Sequence, residues 1–169
     1  MTERAAVPED PIARLWRALE TVCDPEIPVL SVVDLGVIRD VDVVEGSAVV
    51  TITPTYSGCP AMAYIEMMVR DAVLGAGFDS AEVRTVLAPA WTTDWLSDAG
   101  REKLRAIGIA PPAEQSTSRK SLLGIDPVVA CPRCGSGHTE ILSQFGSTAC
   151  KALYRCADCA EPFDYFKCH

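Results

Sequence analysis

Two Cys-x-x-Cys pairs, Cys131-Pro132-Arg133-Cys134 and Cys156-Ala157-Asp158-Cys159, constrain this chain more than any other feature. Two such turns can place four thiolates tetrahedrally around one ion. The gap between them is slightly longer than the roughly 15–20 residues usual for such sites, an excess that a hairpin absorbs. Gly135 frees the first knuckle to turn. Residues 139–142 and 152–155 are expected as strands leading out of one knuckle and into the other. Residues 162–167, with aromatics on alternate positions, are expected as a third. So short a module cannot bury enough surface to fold without a staple, and metal binding supplies the missing free energy. The spacing therefore predicts a structural zinc ribbon with Cys131, Cys134, Cys156 and Cys159 as ligands. A mononuclear iron centre of rubredoxin type uses similar pairs and is the main rival, which would make the chain a redox or electron-transfer protein. A disulfide pair is the weakest reading. Cys150, Cys168 and His169 are left unassigned: Cys150 could be a buried strand residue, and Cys168-His169 could substitute as ligands, against which the fraying of a chain end argues. His138 reads as part of the ribbon loop or a spare ligand.

The cysteines also mark a boundary. Six of the eight fall from Cys131 onward, leaving only Cys23 and Cys59 before it. Between the two regions the composition turns to Pro, Ser, Thr, Gln and Lys, as in Ala110-Pro111-Pro112 and Gln115-Ser116-Thr117-Ser118, which reads as a linker. The expected division is a first domain over 1–109, a linker over 110–128 and the four-cysteine module over 129–169. The hydrophobic and charged fractions, 49% and 22%, are those of a soluble globular protein. No apolar run approaches the roughly 20 residues that span a bilayer, and the polar, acidic residues 1–10 lack a signal-peptide core. A cytoplasmic protein with free or metal-bound thiols is expected, with no membrane association. The net charge of −8 includes no basic stripe for neutralising phosphates, which disfavours nucleic acid as a partner.

The first domain turns on Thr53-Pro54-Thr55-Tyr56-Ser57-Gly58-Cys59-Pro60-Ala61. The β-branched run 48–53 predicts a strand. Gly58 lets the chain turn, Pro60 suits a first helical position, and Ala61, Ile65, Met68, Val69 and Ala72 form a helical stripe. Cys59 is thus expected at a helix N-terminus, where free N–H groups favour a thiolate. It is either an exposed reactive or metal-binding thiol or a small buried residue under a turn. No Lys, Arg or His lies within ten residues on either side to help ionise it. A thiol enzyme needs a base beside Cys59, and no Cys/His arrangement is visible.

Elsewhere, residues 10–22 predict a helix with Asp10 as N-cap, Pro11 at its start and Ile12, Leu15, Trp16, Leu19 and Val22 on one face. Cys23 closes it as a small apolar residue. Asp24-Pro25-Glu26-Ile27-Pro28 must break it; its carboxylates either form a solvated turn or poise a ligand or proton acceptor near Cys59. Asp34-Leu35-Gly36 is a further turn signal. Strands are expected over 37–44 and 81–87, and a last helix capped by Thr92 or Thr93 carries Trp95, Leu96, Ala99 and Leu104. Trp91 and Trp95 read as core or interface aromatics. The fold class is α/β (α+β): a small three-stranded mixed sheet with packed helices, in the order α-β-β-α-β-α, plus a C-terminal zinc-ribbon β module.

The motifs Asp24-Pro25-Glu26-Ile27-Pro28, Asp34-Leu35-Gly36 and Ser57-Gly58-Cys59-Pro60 resemble the domain of SufT-like and cytosolic iron–sulfur assembly factors over roughly residues 10–106. The chain differs from the commoner motif in carrying Tyr56-Ser57 where a Ser-Pro pair often stands. With Ser147-Thr148-Ala149-Cys150-Lys151 and the ribbon added, the whole resembles the PaaD (PaaJ) family, encoded with the multicomponent phenylacetyl-CoA epoxidase of aerobic phenylacetate breakdown. In that system a di-iron protein epoxidises the ring and a flavin and iron–sulfur reductase supplies electrons. The resemblance implies an accessory or maturation subunit, not catalytic alone. Its functional thiol would be Cys59, with Asp24, Glu26, Ser57 and Gly58 in support. It implies a transient iron or iron–sulfur cluster at Cys59. Its partners would be the oxygenase or reductase subunits, or iron–sulfur assembly proteins, and a homodimer is compatible with it.

Overall fold

The structure, a computed structural model, describes residues 10–56, 58–112 and 128–167. Helix α1 (Pro11–Glu20) begins as its sequence predicts: the Asp10 carboxylate accepts from the Ile12 N–H at 3.2 Å and Pro11 opens the first turn. Its Leu15 and Leu19 are fully buried. Strands β1 (Ile38–Val44) and β2 (Ser47–Ile52) form an antiparallel hairpin, and β3 (Ser80–Thr85) returns parallel to β2. The sheet order is β1-β2-β3, the mixed sheet expected. Alternation in β2 sends Ala48, Val50 and Ile52 into the core. Helix α2 (Met62–Gly75) crosses from β2 to β3 and buries Ile65, Val69 and Val73 against the same core.

Three local expectations are corrected. Helix α2 starts at Met62 with Ala61 as its N-cap, so Pro60 and Cys59 precede the helix instead of forming its first turn. Cys23 does not close the helix: α1 ends at Glu20 with Thr21 as its C-cap, and the exposed Cys23 pairs with Ser31 in an isolated bridge. The last helix is two pieces: a 3₁₀ turn (Thr93–Trp95) capped by the Thr92 hydroxyl, then α3 (Asp98–Ala106). The break falls where the Ser97 hydroxyl accepts from the Gly100 N–H at 2.9 Å and starts a new helix.

Asp34-Leu35-Gly36 proves to be a clamp. The buried Asp34 carboxylate accepts from the Ser31 N–H (3.1 Å), the Ser31 hydroxyl (3.0 Å), the Ser97 hydroxyl (3.0 Å) and Lys103 Nζ (2.6 Å). The Leu35 carbonyl accepts from the Trp91 indole at 2.8 Å. Gly36, at φ 66°, leaves no room for a side chain: a Cβ would lie 2.3 Å from the Trp95 carbonyl oxygen. Burial pushes the Asp34 carboxyl up, but the hydrogen bonds from Lys103, Ser31 and Ser97 outweigh it and hold it below its ordinary value. A carboxyl so depressed contributes stability above its unfolded pKa of about 3.9 and loses it as pH falls through the lower folded value. Asp34→Asn is expected to cost about 1–3 kcal/mol at pH 7. Denaturant melts of the two proteins at pH 7 and pH 3 check this; the gap should narrow at the lower pH.

The ribbon builds a second sheet in the order β4-β7-β6-β5. Its strands are β5 (Thr139–Ser143), β6 (Lys151–Cys156) and β7 (Pro162–Phe166), joined at the edge by β4 (Ile109–Ala110) running parallel to β7. Ile109 at the end of the expected first domain and Ala110 at the start of the expected linker thus pair with the ribbon. Phe166 and Cys150 also enter the core of the first domain, where the Phe166 ring meets Trp91 edge-on at 6.1 Å.

Candidate metal and thiol sites at the domain seam

The two ribbon knuckles are built alike. The Gly135 N–H donates to the Cys131 carbonyl (2.9 Å) and the Cys131 N–H to the Ser136 carbonyl (2.8 Å); in the second knuckle the Cys156 N–H donates to the Glu161 carbonyl (3.0 Å). The residue after each pair, Gly135 and Ala160, takes positive φ. The four Sγ atoms of Cys131, Cys134, Cys156 and Cys159 all lie within 4.8 Å of one another. Cys131 and Cys159 are 3.8 Å apart, Cys134 and Cys156 3.6 Å. Metal–sulfur bonds of about 2.3 Å in a tetrahedron require sulfur–sulfur edges of about 3.8 Å. The donor set therefore fits a tetrahedral thiophilic ion at the spacing it already has.

The clustered thiols do not titrate alike: the Ser136 N–H pulls the Cys134 thiol down, but the neighbouring Cys156 and burial push it up to about 12, whereas Cys156 falls. The Cys159 N–H pulls the Cys156 thiol down most, burial opposes, and the Asp158 N–H adds to the fall, leaving it at about 7. His138 belongs to the loop and not to the sulfur cluster. Its Nδ1 faces Asp158 Oδ1 at 3.3 Å, and the Ser136 hydroxyl donates to the same carboxylate, tying one knuckle to the other. Among the described residues this is the one grouping of three or more Cys, His, Asp or Glu already at coordination spacing.

Cys59 sits on the loop between β2 and α2, half-buried. The loop is closed by hydrogen bonds from the Cys59 N–H to the Tyr56 carbonyl (3.3 Å) and from the Met62 N–H to the Cys59 carbonyl (3.2 Å). Gly58 before it takes φ 87°, a left-handed value that explains the glycine, and the space where its Cβ would point is open. Tyr56 is hydrogen-bonded to the Cys59 side chain. Burial first, then that bond, and then the neighbouring Glu26 and Cys150 push its phenol up to about 12.

The Asp24–Pro28 turn faces this loop. Asp24 Oδ1 accepts from the N–H groups of Glu26 and Ile27, both at 2.8 Å, which makes Asp24 the residue that shapes the turn. Burial raises its carboxyl above the ordinary value; those two N–H groups oppose the rise, Glu26 adds to it, and Lys151 opposes it. Glu26 is carried outward, and its Oε2 accepts from the Cys150 thiol at 3.4 Å. Cys150 is buried and also lies 3.0 Å from the Thr148 hydroxyl. Burial raises the Cys150 thiol to about 11, with Glu26 adding to the rise and Thr148 opposing it. Beside it Lys151, itself buried, lies 3.7 Å from the Asp164 carboxylate.

The structure thus gathers Glu26, Tyr56 and Cys150 around the seam, with Cys59 reached through Tyr56. Ser57, Cys168 and His169 lie outside the described residues. Motif reading alone does not single out Tyr56, Cys150 and Lys151 as site residues. At the seam the ribbon's Lys151 brings a cation within electrostatic reach of Asp24, while its ammonium lies beside Asp164.

Family models match two parts of the chain: an iron–sulfur cluster assembly protein over residues 12–85 and a PaaD zinc beta ribbon domain over residues 115–167. An Escherichia coli (strain K12) protein provisionally named as a component of 1,2-phenylacetyl-CoA epoxidase is 48% identical over 168 residues, 99% of each chain. An Fe-S protein maturation auxiliary factor of Porphyromonas gingivalis (strain ATCC BAA-308 / W83) is 42% identical over 84 residues, 48% of this chain and 79% of its own. Among solved structures, a domain of unknown function from Bacillus anthracis aligns with TM-score 0.50 and 33% identity, covering 54% of this chain and 89% of that one.

Proposed function

This chain belongs to the PaaD family of 1,2-phenylacetyl-CoA epoxidase components, and from that membership we propose that it is a non-catalytic accessory subunit of that epoxidase system, which helps install an iron or iron–sulfur centre in a partner protein. The observation that carries the reading is the half-buried Cys59, hydrogen-bonded to Tyr56, whose phenol in turn feels the Glu26 carboxylate. A thiol there can take up a soft cation and release it to a partner's thiolates by ligand exchange.

The ribbon would hold zinc through Cys131, Cys134, Cys156 and Cys159. Zinc there supplies folding energy and no reaction step. The cytoplasm suits this reading, because its thiols stay reduced. The partners would be the oxygenase or reductase subunits of the epoxidase, or iron–sulfur assembly proteins; no helix among the described residues is long and apolar enough to cross a membrane.

Cys59→Ser tests the function. Co-expressed with the epoxidase subunits, the variant is expected to leave their iron content and turnover lower by roughly ten-fold or more, since one ligand of a weak site is lost. Its own ribbon metal and melting temperature should not change. Full iron loading and full turnover with the variant would remove the proposal.

A further inference from the structure

The seam between the two domains holds more coordination chemistry than Cys59 alone. Cys150 comes from the ribbon, Glu26 from the turn after α1, and Cys59 and Tyr56 from the loop before α2. Each is held by a different device. The Asp24 turn fixes where the Glu26 side chain leaves the backbone. The Lys167 N–H donates to the Cys150 carbonyl at 3.0 Å, anchoring Cys150 beside β7. Cys59 and Tyr56 pack on the apolar core that also contains Cys150.

A buried thiol of purely structural use has no need of a carboxylate. Here the Cys150 thiol points its hydrogen at Glu26 Oε2 at 3.4 Å. An ion bound by sulfur at about 2.3 Å and oxygen at about 2.1 Å in a tetrahedron sets those two ligands about 3.6 Å apart. Glu26 and Cys150 are therefore near the spacing of two ligands on one ion. Tyr56, hydrogen-bonded to Cys59, lies within electrostatic reach of both Glu26 and Cys150, which places the Cys59 loop beside that pair.

We propose that Cys150 of the ribbon, Cys59 of the first domain and the Glu26 carboxylate form one two-thiolate, one-carboxylate site for a ferrous ion, the cargo that the protein carries. This rests on the reading of Cys59 as a cargo thiol and adds ligands to it. Uptake involves no change of oxidation state. One Fe²⁺ replaces one proton on each thiol and two protons leave; the Cys150 proton departs by way of Glu26 Oε2, to which the thiol already donates. Release to a partner reverses this, with the partner's thiolates replacing these two sulfurs. The ribbon then contributes to cargo binding as well as to folding, because its zinc knuckles hold Cys150 at the seam.

Cobalt(II) is the probe. Full-length protein with its ribbon loaded with zinc is titrated anaerobically, and the thiolate-to-cobalt charge-transfer band counts the sulfurs on the added ion. Wild type is expected to bind one further ion with a two-sulfur band. Cys150→Ser should lower that band to about half and weaken binding roughly ten-fold or more. Glu26→Gln should weaken binding by a similar factor and leave the band intensity unchanged. A Cys150→Ser protein with wild-type band and affinity overturns the proposal yet leaves Cys59 as a lone cargo thiol. Bands untouched in both Cys150→Ser and Cys59→Ser would overturn both readings. If Cys150→Ser loses its ribbon zinc, Glu26→Gln decides, because its turn lies in the other domain: unchanged affinity there overturns the proposal.

Discussion

Cys156→Ser protein should purify without its ribbon metal and with the ribbon unfolded. Cys156 is fully buried, lies 3.6 Å from Cys134 within the sulfur cluster, and also belongs to the small core of Ala110, Val129, Cys131, Ala152, Phe163 and Tyr165. That core is too small to fold by itself. A four-thiolate zinc site contributes about 10–16 kcal/mol to such a module at neutral pH, and a serine hydroxyl is a poor substitute for a thiolate. Metal analysis should fall from one equivalent to near zero. Trp91 offers a second readout, because its ring packs on Phe166 of β7 and loses that neighbour when the ribbon opens. Its fluorescence should move toward that of an exposed indole. One equivalent of zinc together with a wild-type emission spectrum in the variant would contradict this account. The same analysis on wild type separates zinc from iron: a colourless protein with zinc removes the electron-transfer alternative.

The second large effect is expected at Phe166. Phe166→Ala should cost about 3–5 kcal/mol, the usual loss for a buried ring. The side chain is 2% exposed, and although it belongs to the ribbon it lies in the core of the first domain. Removing it opens a cavity against Trp91 and leaves the seam with the two-residue pairing of β4 and β7 and the Cys150–Glu26 contact. At roughly 2–4 °C per kcal/mol for a chain of this size, the main melting transition should fall by about 10 °C. It should also split, since the cooperativity of two small units depends on the packing between them. Calorimetry distinguishes the outcomes: one sharp transition near the wild-type temperature would mean that the two units do not depend on this ring.

Much of this is legible in the sequence because it is local. The Cys-x-x-Cys spacing encodes the knuckles without reference to the rest of the chain. Asp10-Pro11 and the apolar spacing after it encode α1, and the β-branched run over 48–53 encodes the strand found at Ser47–Ile52. The Asp34-Leu35-Gly36 motif is readable only as a turn. Its work as a clamp depends on Ser97 and Lys103, more than sixty positions away. Pattern alone puts the start of α2 two residues early, because Pro60 fits a first helical position and also a turn before one. The single helix expected after Thr92 is broken by Ser97, a capping residue inside an otherwise helical pattern.

Order of elements and the gathering of the four ribbon cysteines follow from periodicity and spacing, which act between near neighbours. Docking is different in kind. That Phe166 would insert beside Trp91, that Ile109–Ala110 would become an edge strand of the ribbon sheet, and that Cys150 would meet Glu26 are consequences of two surfaces fitting together. A lone buried cysteine and a carboxylate in a proline-rich turn carry no local mark of each other. Their meeting was decided when apolar burial closed the seam, and with it whether Cys59 stands alone or has a partner thiol.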